Sequence, residues 1–412
     1  MIVEQSGFLA TRNTAAIRVG AWLIMAAFGY CMITMLDPAG KGFGLRVTTT
    51  GRYFPYIVIF IGLAFLLVGG VSKRLLSDPL FWIPIVLFLA FAAGGVTTAL
   101  SRGWGLEQTT VGRSLPFVAL LAGILVGSQY QASGALAKIA LFGVGVGFVS
   151  AVLRGLEGLG LAFTSLTQSY HTESFILFGA LTSLILIRRN IILKILVVSV
   201  FLISFSFSGK STSYILLIIG FGTIAVRFIL QQAFALKRVG SKGAASILAL
   251  FLPIGIFCVT ISGANTFLTT RLLARPDDAR SWLFQTRIEQ WQDSPIYGSL
   301  FIGSPVMETP YLPGVLFPTH NDLLDVAAFG GILTISAYFY VLYRAFNSDW
   351  IVEAISGKSN SIVQNFFSFT FVGFLFVMLA NPIMYDPIRS IPAYLTIGIL
   401  AARPNGWNLA SR

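Results

Sequence analysis

The chain holds two histidines, His171 and His320, and each stands where a long apolar run begins. His320 is followed by Asn321 and closes a polar interval, residues 264–321, that contains four arginines. An imidazole beside several guanidinium groups would be kept neutral, which suits it to accept a proton near neutral pH. The arginines supply what a proton acceptor lacks, fixed positive charge for an anionic group. Within the interval, Arg280, Phe284, Arg287 and Trp291 recur at helical spacing and predict one face of a helix over about 281–292. Asp277 or Asp278 would cap its start and Pro295 would stop it. Such a face suits a helix lying at a membrane surface, with arginines on phosphates and Trp282 or Trp291 at headgroup level. A simple interfacial anchor would explain the tryptophans and leave the arginines unexplained.

Three further places could bind anions or hydroxyl groups. Lys210 lies in Ser208-Gly209-Lys210-Ser211-Thr212, squeezed between two apolar runs. The Gly-Lys-Ser-Thr string is not a nucleotide-binding P-loop, because that loop needs a glycine five residues before Gly209 and Ser204 stands there. What survives is a lysine among small hydroxyl residues at a helix start, which favours an anion. Arg113 opens another run, where it either snorkels to the interface or faces a lumen and holds a phosphate. Arg154, His171 and Glu173 belong to a third polar stretch. His171 and Glu173 are two apart and so do not share a helix face; hydroxyl binding and interfacial capping both fit them.

These residues must be positioned by a membrane domain. Of 412 residues, 56% are hydrophobic and 11% charged, and the mean hydropathy is +0.81. A soluble domain carries roughly 25% charged residues. A span needs about 20 apolar residues. Candidates lie near 15–36, 54–71, 80–100, 113–130, 134–153, 174–187, 190–207, 212–235, 244–263, 322–346, 364–381 and 386–402, of which the sixth and last are short. The expectation is an all-α integral membrane protein of about twelve spans. It forms one membrane domain over 1–412 with one large loop, 264–321, between the ninth and tenth spans.

Charge tests that count, because a wrong count scrambles the sidedness of later loops. With the N-terminus inside, the inner side holds sixteen basic and four acidic residues, and the outer side twelve of each. The whole net charge of +12 then lies inside. The pI near 9.9 therefore reflects membrane topology and not nucleic-acid binding. Both termini are expected in the cytoplasm and the large loop outside it. Cys31 and Cys258 fall in predicted spans, so neither a disulfide framework nor a cysteine metal site is expected. The first apolar run is long for a signal peptide and lacks a clear cleavage site, and is read as a retained span.

At these residues the sequence resembles the O-antigen ligase and polysaccharide polymerase superfamily, multi-span, GT-C-like glycosyltransferases. The resemblance covers the whole layout: the span number and the large outer loop before the last three. Within it, Arg280 precedes Pro295-x-x-Gly298, and His320-Asn321 is followed by leucine and by Gly330-Gly331. The turn around Lys210 looks like the family's basic turn at a span start. Two positions depart from the family pattern. Lysine stands at 210 where ligases have arginine, and the usual G-x-G after the proline is Gly298-Ser299-Leu300. Lysine is a point charge that cannot grip phosphate bidentately. Both departures favour a polymerase over a lipid A-core ligase.

The resemblance implies a metal-independent, cofactor-free transferase in a bacterial inner membrane. Its donor and acceptor would be undecaprenyl-diphosphate-linked oligosaccharides, with membrane lipid around it and a chain-length regulator as a possible protein partner. His320, Arg280 and Lys210 would be catalytic. Arg287, Arg113, Arg154, His171, Glu173 and Asn321 would bind substrate. The alternatives are an O-antigen ligase, which differs only in acceptor, and a transporter or flippase for an anionic lipid. Transporters usually show related halves with broken helices near the midplane, whereas here the loop charges cluster on one side.

Overall fold

The structure is a computed structural model. It describes residues 13–34, 36, 49–102, 112–158, 174–186, 191–206, 216–222, 225, 279–298, 308–309, 312–316, 321–356, 359–378, 383–384 and 386–403. Helices follow the predicted apolar runs. They are α1 (Thr14–Thr34), α2 (Thr49–Gly69), α4 (Pro79–Arg102), α5 (Gly112–Ser128), α6 (Ser133–Gly158), α7 (Ser174–Leu186) and α8 (Ile191–Ser206). Towards the C-terminus come α10 (Asp322–Phe346), α12 (Ile362–Val377) and α13 (Pro387–Ala401). Residues 216–222 are helical inside the eighth predicted run. The ninth run, with Cys258, lies outside the described residues, whereas Cys31 is buried in α1.

Three further α-helices lie among the described residues, α3 (Lys73–Leu76), α9 (Ala279–Asp293) in the large loop and α11 (Asp349–Ser356), with one 3-10 turn at Tyr130–Ala132. The loop also holds an antiparallel pair, β1 (Glu308–Thr309) and β2 (Leu312–Leu316), which pairs Glu308 with Leu316 and Thr309 with Leu312. This pair is the exception to the all-α expectation. Pro313 and Gly314 break the alternation that would have marked β2 as a strand.

Among the described residues, four helices are long and apolar enough to cross a membrane: Thr14–Thr34, Pro79–Thr97, Tyr130–Leu156 and Asp322–Phe346. Six more are apolar and shorter. The sixth predicted run is α7, at 13 residues the shortest of them. Eleven of its residues are nonetheless buried against neighbouring helices.

Small residues set how closely the helices approach, since apolar burial alone drives little association in lipid. A Cβ on Gly20 of α1 would lie 2.6 Å from the carbonyl of Gly62 on α2, so these two helices meet backbone to backbone. Gly123 of α5 faces Gly398 of α13 in the same way, 3.0 Å from its Cα. Rings then tie this pair to its neighbours. Phe91 of α4 stacks on Phe329 of α10 at 5.5 Å and tilts against Phe117 of α5 at 5.0 Å, and Phe117 meets Tyr394 of α13 edge-on at 5.9 Å. Helices α4, α5, α10 and α13 thus form the frame on which α9 rests.

At the far end of α10, Arg344 grips Asp78 with both terminal nitrogens, at 3.1 and 3.3 Å, and its Nη1 also donates to the Tyr340 hydroxyl oxygen at 2.9 Å. Asp78 also caps the chain into α4, its Oδ1 taking the Leu80 N–H at 2.9 Å.

Candidate functional site

The site is built around the first turns of α10. Asn321 is its N-cap, with Oδ1 accepting the Leu324 N–H at 3.0 Å, so this side-chain oxygen is committed to starting the helix. Asp322 and Asp325 follow in the first turn, where carboxylates complement the helix dipole, and both are fully buried. Asp322 faces the link between α12 and α13: both its oxygens accept the Met384 N–H, at 3.2 and 3.3 Å, and its own N–H is donated to the Met378 carbonyl at 3.0 Å. Asp325 faces the opposite partner, α9. Its Oδ1 accepts from Arg287 Nε at 2.9 Å, while its Oδ2 has no hydrogen bond among the described residues.

Arg287 is therefore not on headgroup phosphates. It is 1% exposed and locked between Asp325 and Gln290, whose Oε1 takes Nη1 at 2.7 Å. The helix predicted over 281–292 is present as α9, but its Arg287 side turns into the protein and Ile288 is the exposed neighbour. The cause is tertiary. A buried carboxylate on α10 offers a guanidinium far more than a screened headgroup layer does.

Arg113 arrives from the first turn of α5 and is also buried. Its guanidinium carbon lies 4.1 Å from the centre of the Phe329 ring, and that of Arg287 lies 5.4 Å from the same centre. One aromatic ring thus collects two guanidinium groups from distant segments, each held by cation–π attraction. Arg113 thus does not snorkel to an interface; its guanidinium is packed inside the helix frame against Phe329.

The support of α9 comes from two glycine motifs packed against each other. Helix α9 ends in a turn that Gly298 closes by donating its N–H to the Ser294 carbonyl at 2.7 Å. Inside α10, Gly331 has φ 65 and ψ −162, which breaks the helix. A straight helix would give the Ile332 N–H to Ala328; here it is donated to the Pro295 carbonyl at 2.8 Å. The turn thus repairs the hydrogen bond that the break removes, as a broken helix inside a membrane domain requires. No side chain fits between them. A Cβ on Gly298, itself at φ 57, would lie 2.5 Å from the Ala328 carbonyl oxygen, and one on Gly331 would lie 2.5 Å from the Tyr297 nitrogen.

The remaining predicted site residues divide in two. Arg154 is buried near the end of α6, whose main neighbours are α1, α7, α8 and α12, so it belongs to a different group of helices from Arg113 and Arg287. Arg280 lies in the first turn of α9, with its side chain outside what is described; His320, Lys210, His171 and Glu173 lie outside the described residues. Sequence reasoning passed over Asp322, Asp325, Phe329 and Gln290. Two carboxylates in the first turn of an apolar run were a usable signal, since acids there are costly unless paired.

In comparisons with known proteins, the chain matches no family model, no curated protein and no solved structure.

Proposed function

We propose that the chain is a membrane glycosyltransferase that polymerises undecaprenyl-diphosphate-linked oligosaccharide units of a surface polysaccharide. The observation that carries the reading is the junction between Pro295-x-x-Gly298 and Gly330-Gly331. The two motifs on which the sequence resemblance rests are far apart in the chain and interlock backbone to backbone, directly beside two buried arginines. In this reading the membrane domain has about twelve spans in a bacterial inner membrane, with both termini cytoplasmic. The pairing of Arg344 with Asp78 supports that sidedness, because both fall on the inner side of the charge count.

The chemistry is a displacement at the anomeric carbon of the donor sugar. The acceptor hydroxyl forms the new glycosidic C–O bond as the bond to the diphosphate breaks, and the diphosphate leaves with the electron pair. His320 takes the hydroxyl proton. Charge grows on the leaving diphosphate, and preorganised cations lower the barrier most there. Arg280 and Lys210 are assigned to it, with Arg113 as a fixed positive wall. Arg287 works from behind. Its pairing with Asp325 fixes α9, and α9 carries Arg280 two turns earlier.

The test is polymer length on a gel, in cells lacking the protein and complemented with wild type, His320→Ala or Arg280→Ala at matched membrane abundance. Wild type should restore a ladder, and both variants should leave single repeat units on their final lipid carrier. Unattached polymer would point to the ligase reaction instead. Full-length polymer from both variants would remove the transferase chemistry.

A further inference from the structure

A second charged recess lies at the other end of the membrane domain, and the transfer reaction makes no use of it. Arg18 and Trp22 line it from α1, and Tyr130, Gln131, Ser133, Gly134, Ala135 and Lys138 from the start of α6 and the turn before it. Its volume is about 380 Å³, enough for a phosphodiester and its substituent. Lys138 Nζ sits 5.0 Å above the Trp22 ring, which holds the ammonium at the rim. None of the lining residues is acidic, so the recess offers two cations, hydroxyl and amide groups, and no carboxylate to repel an anion.

We infer that this recess binds the phosphate headgroup of an anionic phospholipid from the surrounding leaflet. The surroundings favour a lipid over a free anion. Trp22 and Tyr130 are 44% and 56% exposed, the placement of amphipathic rings at a headgroup layer. One turn further along α6 from Lys138, Leu141 and Phe142 are exposed, and Val19 is exposed beside Arg18. An acyl chain hanging from a headgroup in the recess would run over this apolar strip. Basic pockets between helix ends on the cytoplasmic side are suited to anionic headgroups. Assigning the recess to that leaflet rests on the sidedness proposed above; the binding chemistry does not.

The experiment is native mass spectrometry of the full-length protein in neutral detergent, titrated with phosphatidylglycerol, with phosphatidylcholine as the neutral lipid and inorganic phosphate as competitor. Wild type should retain phosphatidylglycerol in preference to phosphatidylcholine. The double variant Arg18→Gln, Lys138→Gln should lose that preference by roughly thirtyfold, two surface cations' worth of headgroup attraction. Gly134→Phe keeps both charges and should fill the recess, since a Cβ at Gly134 meets nothing within 4 Å. It should lower retention alike, and it decides the matter if the double variant fails to fold. Unchanged preference in either folded variant overturns the proposal. So does displacement of the lipid by an equal concentration of inorganic phosphate, which would make this a phosphate site. Arg18 and Lys138 stand apart from the proposed transfer residues, so a failed polymer assay leaves this result intact, and the reverse also holds.

Discussion

Helix α10 is tied down at both ends by an arginine–aspartate pair, and the two pairs are built on opposite terms. In the last turn, Arg344 holds Asp78 with two nitrogens, and the side chains are 28% and 26% exposed. In the first turn, Asp325 meets Arg287 through one nitrogen, at 1% and 0% exposure. The better geometry therefore lies where water weakens it. A half-exposed pair contributes at most about 1 kcal/mol. A buried pair owes its importance to what removing one partner leaves behind, an unpaired charge in a medium that cannot solvate it. The buried pair fixes where α9 sits, and the half-exposed pair fastens a helix end that packing already positions.

That contrast can be broken most sharply at Asp325. Asp325→Ala should destabilise the protein by about 3–5 kcal/mol, read as a lowered melting temperature in detergent, because Arg287 stays buried opposite a methyl group. Adding Arg287→Met should recover most of the loss. If Asp325→Ala melts like wild type, Arg287 has another adequate partner and the contrast fails. Next in size is the glycine junction. Gly331→Ala places a side chain at φ 65 against the Tyr297 backbone and should cost about 1–3 kcal/mol from conformation alone. Gly298→Ala attacks the same contact, so the double variant should lose less than the two single losses together.

The smallest effect belongs to the half-exposed pair. Arg344→Ala should lower stability by about 1 kcal/mol or less. A double-mutant cycle with Asp78→Ala should give a coupling that shrinks as salt rises, whereas the Arg287–Asp325 coupling should hardly respond to salt. Equal salt dependence at both ends would show that the Arg287–Asp325 pair is wetter than its geometry implies. Activity sharpens the comparison further. Arg287→Lys keeps the charge and loses the planar fork, and should shorten the polymer by displacing Arg280. Arg344→Lys should leave polymer length unchanged on the same gel.

Much of the frame was legible because lipid imposes its demands on consecutive residues. Runs such as 322–346 and 386–402 emerged as α10 and α13 with nearly the same limits. Helix α9 was legible from the spacing of Arg280, Phe284, Arg287 and Trp291, whereas Asn321 was read for substrate and its place as the N-cap of α10 was passed over. The direction of α9 was not legible. A basic and aromatic face fits a phosphate layer as well as it fits a buried carboxylate, and only the position of Asp325 decides between them. The β1–β2 pair was missed because a two-residue strand opposite Pro313 has almost no pattern to read. Arg154 was grouped with Arg113 by charge and sidedness, which say nothing of which helices are neighbours.

By itself the sequence determined that this is a chain of apolar helices with its charge confined to their ends, because a continuous apolar run has few alternatives to a hydrogen-bonded helix in lipid. It also placed the glycines and the proline that later proved to touch. Only the tertiary structure decided that Pro295 repairs the break at Gly331, that Phe329 gathers Arg113 and Arg287, and that Arg287 faces a carboxylate instead of the membrane. The physical reason is that helix formation is settled by near neighbours in the chain. The burial of a charge is settled by whichever distant group can pair with it.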